Sequence, residues 1–316
     1  MIVTVTPNPS LDRTLAIERL SRGQLLRASS VRVEPGGKGI NVARALIANG
    51  EAAQAVVPLG GGDGEQLQSL LGELGLTVVA VPIAATVRTN VTLVEPDGTV
   101  TKINAPGPHL HDHEVEDLRK AAVAAIGDAS WVAACGSLPP GADDGLYAEL
   151  VGDVRRAGAR VAVDTSGPPL RACVTAAPDL IKPNLQELQD LVGAELATFG
   201  AVVGAADGLR RQGVGAVVVS LGALGAVLID HHGAVHADTP PVEPVSDVGA
   251  GDALLAGFLS AGGAGHQALR AAVAWGAAAV QLPGTAMPSP ADLDTTAVRL
   301  RDVETDRPLT TEGAPA

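Results

Sequence analysis

The chain has 316 residues, enough to bury one large α/β core or two modest ones. Its 46% hydrophobic and 18% charged residues, with 38 Gly and 22 Pro, exclude a disordered or collagen-like chain and point to a globular protein rich in tight turns. A formal charge of −13 and an aromatic content of 2% leave neither a basic surface nor stacking platforms, which argues against nucleic-acid binding.

In chain order, MIVTVT starts directly as an alternating strand, without the basic and apolar regions of a secretory signal, so a cytoplasmic protein is expected. Strand-like runs IVTVT, AAQAVVPLG, LTVVAVP, SWVAACG, ARVAVDTS, DLIKPN and GAVVVSLG alternate with helix-like stretches over 39–49, 63–75, 112–126, 143–157, 185–192 and 199–212. Apolar strands separated by helices predict a parallel, doubly wound sheet covered on both faces, with one main domain and a small appendage. Two stretches break the rhythm, roughly 12–34 and 86–104, the second reading as a hairpin around EPDG. Both are assigned to a small sheet projecting over the carboxyl edge, as a lid or a dimer contact. The apolar run GVGAVVVSLGALGAVLI is interrupted by Ser220 and Gly222 and reads as two strands joined by a turn, not a membrane span. After Asp252 come two helices, ALLAGFLSAG and HQALRAAVAWGAAAVQL, then a short helix near 290–301 and a polar tail over 301–316 that is expected to be disordered. Cys135 and Cys173 lie in apolar surroundings and read as core thiols.

Chemistry concentrates where glycines meet charge. In SDVGAGDALLAGF, positions 246–258, Gly249 and Gly251 let backbone N–H groups of a first helical turn approach an anion. Asp252 in that turn would repel a phosphate unless a metal or a proton transfer accounts for it; a capped helix with a Gly-rich entry is the alternative. EPGGKGINVARAL, positions 34–46, sets Gly36, Gly37 and Gly39 around Lys38, unlike the NTPase phosphate loop, and reads as a second anion site or as close helix–strand packing. Only Lys38, Lys102, Lys120 and Lys182 occur against 18 arginines, and three of the four lie in or beside these segments, where a compact charge is wanted.

Three strand ends add polar groups. TPNPSLDRT carries Asp12 just past the first strand, where an acid accepts two sugar hydroxyls or, with Asn8, caps a turn. CGSLPPG presents Ser137 before a rigid turn. KPNLQE presents Asn184 and Glu187, suited to hydrated Mg²⁺ or to capping a helix. SLGALG, with Ser220, Gly222 and Gly225, is either a hairpin or a ledge for a nucleotide.

Together, TPNPSLD, PGGKGINVA, GSLPPG, KPNLQE, SLGALG, VGAGDALLAGF and LPGT, in that order over about positions 1–290, resemble the PfkB/ribokinase family of sugar kinases. The resemblance implies a kinase domain over about 1–300. Its fold would be a ribokinase-like three-layer αβα core with a mostly parallel doubly wound sheet and a small β-sheet lid. It also implies Mg²⁺-dependent transfer of phosphate from ATP to an alcohol. Asp252 would then accept the hydroxyl proton while Gly249, Ala250 and Gly251 hold the phosphoryl group. Asp12, Gly37, Lys38, Asn41, Arg88, Asn104 and Ser137 would bind substrate. Lys182, Asn184, Ser220, Gly222, Gly225 and Gly251 would bind nucleotide, and Asn184 and Glu187 would reach Mg²⁺ through water.

TPNPSLDRT, GGKGINVAR and VRTNV look like the phosphosugar branch, with Arg88, Lys38 and, as a weaker candidate, Arg27 on the phosphate that the substrate already carries. That implies conversion of fructose 1-phosphate to fructose 1,6-bisphosphate. The alternatives are tagatose 6-phosphate or fructose 6-phosphate as substrate, or a non-catalytic sugar-phosphate-binding module. A dinucleotide-dependent oxidoreductase would need G-x-G-x-x-G after the first strand, where this chain has TPNPSL. Two departures stand out: Ala105 where many members carry an acid, and Ser246 where ribokinase proper has an Asp for a potassium ion.

Overall fold

The structure, a computed structural model, describes residues 1–309. Ten strands form one sheet in the order β14-β13-β12-β11-β10-β9-β8-β1-β4-β5. Seven of them run parallel: β5 (Thr77–Pro82), β4 (Ala53–Leu59), β1 (Ile2–Val5), β8 (Trp131–Cys135), β9 (Arg160–Asp164), β10 (Leu180–Ile181) and β11 (Ala216–Ser220). β12 (Ala226–Asp230), β13 (Gly233–Asp238) and β14 (Arg299–Asp302) complete an antiparallel edge.

The parallel strands are apolar on both faces because both are covered. Val3, Val5 and Val56 pack with α3 (Asp112–Ala124), α4 (Leu146–Arg156), α5 (Gly167–Thr175), α6 (Leu185–Val192) and α7 (Phe199–Arg210). On the other face, Ile2, Ala133 and Cys135 pack with α1 (Lys38–Ala48), α8 (Ala250–Ser260) and α9 (Gly265–Ala279), while α2 (Gly61–Glu73) joins α1 over Ala55 and Val57. Cys135 and Cys173 are free and buried, as expected of core thiols.

β1 lies between β4 and β8, so the chain leaves it in opposite directions on its two sides. The crevice beyond the carboxyl ends of β1 and β8 is therefore the switch point at which open α/β sheets bind ligands. A second sheet, β3-β2-β6-β7, is built from β2 (Ser10–Ala16), β3 (Ser30–Gly36), β6 (Arg88–Val94) and β7 (Val100–Ile103). Since β2 follows β1 by a few residues and β3 runs straight into α1, this sheet is tethered to the carboxyl edge at both ends.

Two expectations are corrected. No helix forms near 290–301: the Asp292 and Asp294 carboxylates instead accept from nearby backbone N–H groups at 2.8–3.1 Å, a local competition that favours turns over helix. The tail is ordered as far as residue 309. Arg299 and Arg301 flank Asp238 across the β13–β14 ladder, and Phe199 and Gly200 at the start of α7 donate to the Arg307 and Thr305 carbonyls. The remainder of the expected disordered tail, 310–316, lies outside the described residues. Strands β13 and β14 and helix α5 are additions to the elements read from sequence. No helix among the described residues is long and apolar enough to cross a membrane.

Candidate active site

Helix α8 is entered through its N-cap Gly249, which adopts the left-handed conformation at φ 81° that a side chain would strain, and no side chain caps the helix. The Ala253 N–H closes the first α-turn onto the Gly249 carbonyl at 2.8 Å, which leaves Gly251 and Asp252 in the turn whose N–H groups have no helical acceptor. A Cβ on Gly251 would lie 3.3 Å from Lys182 Nζ, so an ammonium sits beside this positive helix end. Asp252 is buried, and its Oδ2 accepts a hydrogen bond from Asn41 Nδ2 at 2.8 Å. Burial first, and then the neighbouring Asp164, push the Asp252 carboxyl up to about 6, against the pull of Lys38, Asn41 and Lys182. A carboxylate of that kind is suited to taking a proton near neutral pH.

Asp164, at the end of β9, has no exposed surface, and it organises the cluster. Its Oδ1 lies 2.9 Å from Lys38 Nζ and its Oδ2 lies 3.1 Å from Lys182 Nζ, the latter an ion pair without hydrogen-bond alignment. Burial would raise the Asp164 carboxyl, but the two ammonium groups outweigh it and hold it below the ordinary range. Lys38 also faces Glu187 Oε1 at 3.6 Å. Burial alone would lower Lys38, yet Asp164, Glu187 and Asp252 keep it well above the usual lysine value. Of the four lysines, Lys38 and Lys182 meet on one carboxylate, while Lys102 faces Asp247 and Lys120 faces Glu116 and Asp117. Asp164 was missed in the sequence; the strand-end logic applied to KPNLQE fits DTSG equally, and would have found it.

On the lid side, Asp12 Oδ1 accepts from Ser10 Oγ at 2.7 Å and Asn90 Nδ2 at 2.9 Å. A Cβ on Gly36 would overlap the Asp12 carboxylate, so that glycine is the floor on which Asp12 rests. Gly37 takes φ 126° as the uncapped entry to α1, while a Cβ on Gly39 would meet Thr6 Oγ1 and the Val5 carbonyl, which makes Gly39 a packing glycine. Arg88 spends two donors on backbone, Nη1 on the Ala105 carbonyl and Nη2 on the Asn8 carbonyl, each at 2.9 Å, while its buried Nε finds no partner. Ala105 is held through its backbone alone: its N–H also donates to Asn90 Oδ1 at 3.2 Å. The Asn8 amide donates to the Pro106 carbonyl at 3.0 Å and to Ser137 Oγ at 3.4 Å, joining the lid's return segment to the β8 turn. That turn is held from beneath by Tyr147 and Thr165 hydroxyls donating to the Gly136 carbonyl at 2.9 and 2.8 Å. Ser137, Asn104 and Arg27 are exposed.

On the other flank, Ser220 pairs with Asn184 through an isolated bridge, and Gly222 and Gly225 adopt positive φ around a 3₁₀ turn, Gly222–Leu224. A Cβ on Gly225 would overlap the Ala237 carbonyl, so this glycine serves the hairpin itself. Asn184 and Glu187 form a reciprocal capping box on α6: Asn184 Oδ1 accepts from the Glu187 N–H at 2.8 Å and Glu187 Oε2 from the Asn184 N–H at 2.9 Å. Among the described residues, no three His, Cys, Asp or Glu side chains converge as metal ligands. In place of Asp, Ser246 donates its hydroxyl proton to the Gly284 carbonyl at 3.1 Å.

The chain is similar to known proteins over most of its length. The chain is 38% identical to a 1-phosphofructokinase of Xanthomonas campestris over 264 residues, 82% of this chain and 83% of that one. It is 37% identical to an ATP-dependent 6-phosphofructokinase isozyme 2 of Mycobacterium tuberculosis over 290 residues, 90% of this chain and 85% of that one. In structure it is similar to phosphofructokinase-2 from Escherichia coli in complex with fructose-6-phosphate, at TM-score 0.86 and 33% identity, covering 93% of this chain and 96% of that one. A ribokinase from Thermotoga maritima, at 21% identity and TM-score 0.74, shares the fold. The model of the pfkB family of carbohydrate kinases matches residues 7–292, and the chain belongs to that family.

Proposed function

We propose that the protein transfers the γ-phosphoryl group of ATP to a hydroxyl of a ketose phosphate, with fructose 1-phosphate as substrate and fructose 1,6-bisphosphate as product. The observation that carries this reading is the buried Asp252 beside the glycine-framed N-terminus of α8, with Lys182 at the same place. The substrate oxygen attacks the γ-phosphorus as the Asp252 carboxylate takes its proton, and ADP leaves with the electrons of the broken P–O bond. The N–H groups of Gly249, Ala250 and Gly251 receive the charge of the transferring group.

Asp12, Gly37, Asn41, Asn104 and Ser137 bind the sugar, and Lys38 and Arg88 attract the phosphate it brings. For Arg88 this uses the Nη hydrogens that the two backbone carbonyls leave. Lys182, Ser220 and Gly222 line the nucleotide side, with Gly225 shaping the hairpin that carries the latter two. A hydrated Mg²⁺ fits beside α6: Glu187 would hold it through water with Oε1, the oxygen left free by the capping box that uses Oε2 and Asn184 Oδ1. When bound, the ion neutralises the β- and γ-phosphates.

A second reading, fructose 6-phosphate as substrate, is favoured by the equally strong similarity to 6-phosphofructokinase isozyme 2. A coupled ADP-release assay against fructose 1-phosphate, fructose 6-phosphate and tagatose 6-phosphate separates them; the highest kcat/KM is expected for fructose 1-phosphate. Turnover of none would leave the binding-module reading.

On the lid face opposite Asp12, Leu11 and Val33 pack on the chain's own core, while Leu15, Val91 and Leu93 lie beside the exposed Val31 and Ile103. This supports a homodimer joined through lid sheets, which sedimentation tests: Ile103→Glu should yield monomers. Two free, buried cysteines are compatible with a cytoplasmic location.

A further inference from the structure

Asn41 donates to Asp252 through Nδ2, and its other amide atom is also engaged: Arg44 Nη1, one turn along α1, donates to Asn41 Oδ1 at 3.2 Å. The same nitrogen lies 3.3 Å from the Pro35 carbonyl, at the end of lid strand β3, and 3.4 Å from Thr285 Oγ1 in the loop after α9. Thr285 in turn donates to Glu34 Oε1 at 3.4 Å. Arg44 is thus anchored by lid, helix and loop, and none of these partners is the reacting carboxylate.

A primary amide presents nearly the same shape after a half-turn about its last bond, with oxygen and nitrogen exchanged. In one orientation Asn41 donates to an ionised Asp252. In the other its oxygen faces Asp252 and is satisfied only if Asp252 carries a proton to donate. A guanidinium has donors and no acceptor, so beside Arg44 only the first orientation is bonded at both ends.

We infer that Arg44 is a positioning residue for the reaction: its guanidinium locks the Asn41 amide in the orientation that donates to Asp252, and so keeps the base free of its proton. This rests on the reading of Asp252 as the base. Charged and titratable groups that face Asp252 are Asp164 from β9, Lys38 from α1, Lys182 after β10 and the Cys135 thiol from β8; Arg44 is not among them. Around Arg44 itself stand Glu34 and Arg32 of β3 and Asp12 of β2. Removing Arg44 therefore acts on Asp252 through Asn41 rather than through direct charge.

The test is the pH dependence of kcat, with ATP and whichever ketose phosphate is turned over. In Arg44→Met the acid limb should move up by about one pH unit, because loss of a hydrogen bond to the ionised form favours the protonated one. With the Asp252 carboxyl at about 6 in the wild type, kcat should fall by about 10-fold at pH 5 but only about two-fold at pH 7, while the KM for ATP stays within a few-fold. Arg44→Lys keeps a donor and should bring the limb back at least halfway. If Arg44→Met does not fold, Arg44→Gln, two bonds shorter, is read in the same way. A limb that stays at its wild-type position with kcat scaled uniformly, or one as far displaced in Arg44→Lys as in Arg44→Met, would overturn the inference. Asp252→Asn, measured alongside, separates the two levels. Near-native turnover there removes the base assignment itself, whereas an inactive Asp252→Asn with an unmoved Arg44→Met limb removes only the role of Arg44.

Discussion

Lys182 and Asp164 form an ion pair in which both partners are withdrawn from solvent, their side chains 4% and 0% exposed at a separation of 3.1 Å. Replacing one partner of such a pair leaves an uncompensated buried charge, at a cost of about 3–5 kcal/mol. Asp164→Ala should therefore lose stability of that order in urea titrations at pH 7. Lys182 and Lys38, outweighing burial, hold the Asp164 carboxyl below its ordinary range. Its contribution is accordingly present above the unfolded carboxyl value and is lost as pH falls through the lower folded one. The gap between wild type and variant should close below about pH 4. A gap under about 1 kcal/mol at pH 7 would contradict the pairing.

Glu187 caps α6 and is proposed to hold Mg²⁺ through water, two roles that one substitution separates. Gln at the third helical position completes a capping box as well as Glu does, but it carries no charge. Glu187→Gln should keep the thermal midpoint within a few degrees while raising the Mg²⁺ concentration needed for half-maximal turnover several-fold. An unchanged Mg²⁺ titration removes Glu187 from the metal's surroundings and leaves it as a helix cap.

Gly36 supports Asp12 by having no side chain. Gly36→Ala drives a methyl group into the Asp12 carboxylate and so disturbs the Ser10–Asp12–Asn90 hydrogen bonds. The KM for the sugar phosphate should rise by roughly 10-fold or more, with the KM for ATP within a few-fold, as expected for loss of bonds to a charged acceptor. Equal effects on both substrates would mean that Asp12 does not touch the sugar.

Much of this architecture was legible because local and global signals coincide. Helix α6 runs over 185–192 as read, bounded by the Asn184–Glu187 capping box and by Gly193 in the left-handed conformation, all of them local in sequence. Asp252 in its glycine frame and Lys38 among glycines were legible for the same reason. What stayed hidden depends on partners far along the chain. RLRD at 299–302 reads as the end of a helix and the start of a polar tail because an edge strand carries charges, and its pairing depends on Asp238, 61 positions before Arg299. Asp164 looks like any strand-end acid until two lysines, one of them 126 positions away, close on it. Arg88 was read as a phosphate ligand, and its part as a tether was not legible, since the carbonyls it holds belong to Asn8 and Ala105.

Asp252 itself should reveal a conflict between function and stability. Burial, then Asp164, raise its carboxyl from 3.8 to about 6, a displacement equivalent to roughly 3 kcal/mol. For an acid with a raised folded value, the penalty is full above the folded value and vanishes below the unfolded one, so it grows as pH rises between about 4 and 6. Asp252→Asn should thus be more stable than wild type by about 1–3 kcal/mol at pH 8 in denaturant titrations without ligands. The advantage should disappear near pH 4. A variant less stable than wild type at pH 8 would mean that the carboxylate is better solvated or paired than its burial indicates.

The most direct measurement is the turnover of Asp252→Asn with ATP, Mg²⁺ and the ketose phosphate, taken together with its ATP affinity. If Asp252 takes the hydroxyl proton, kcat falls by about 10²- to 10⁴-fold while ATP binds within a few-fold of wild type. Turnover within a few-fold of wild type would contradict the assignment of Asp252 as the base.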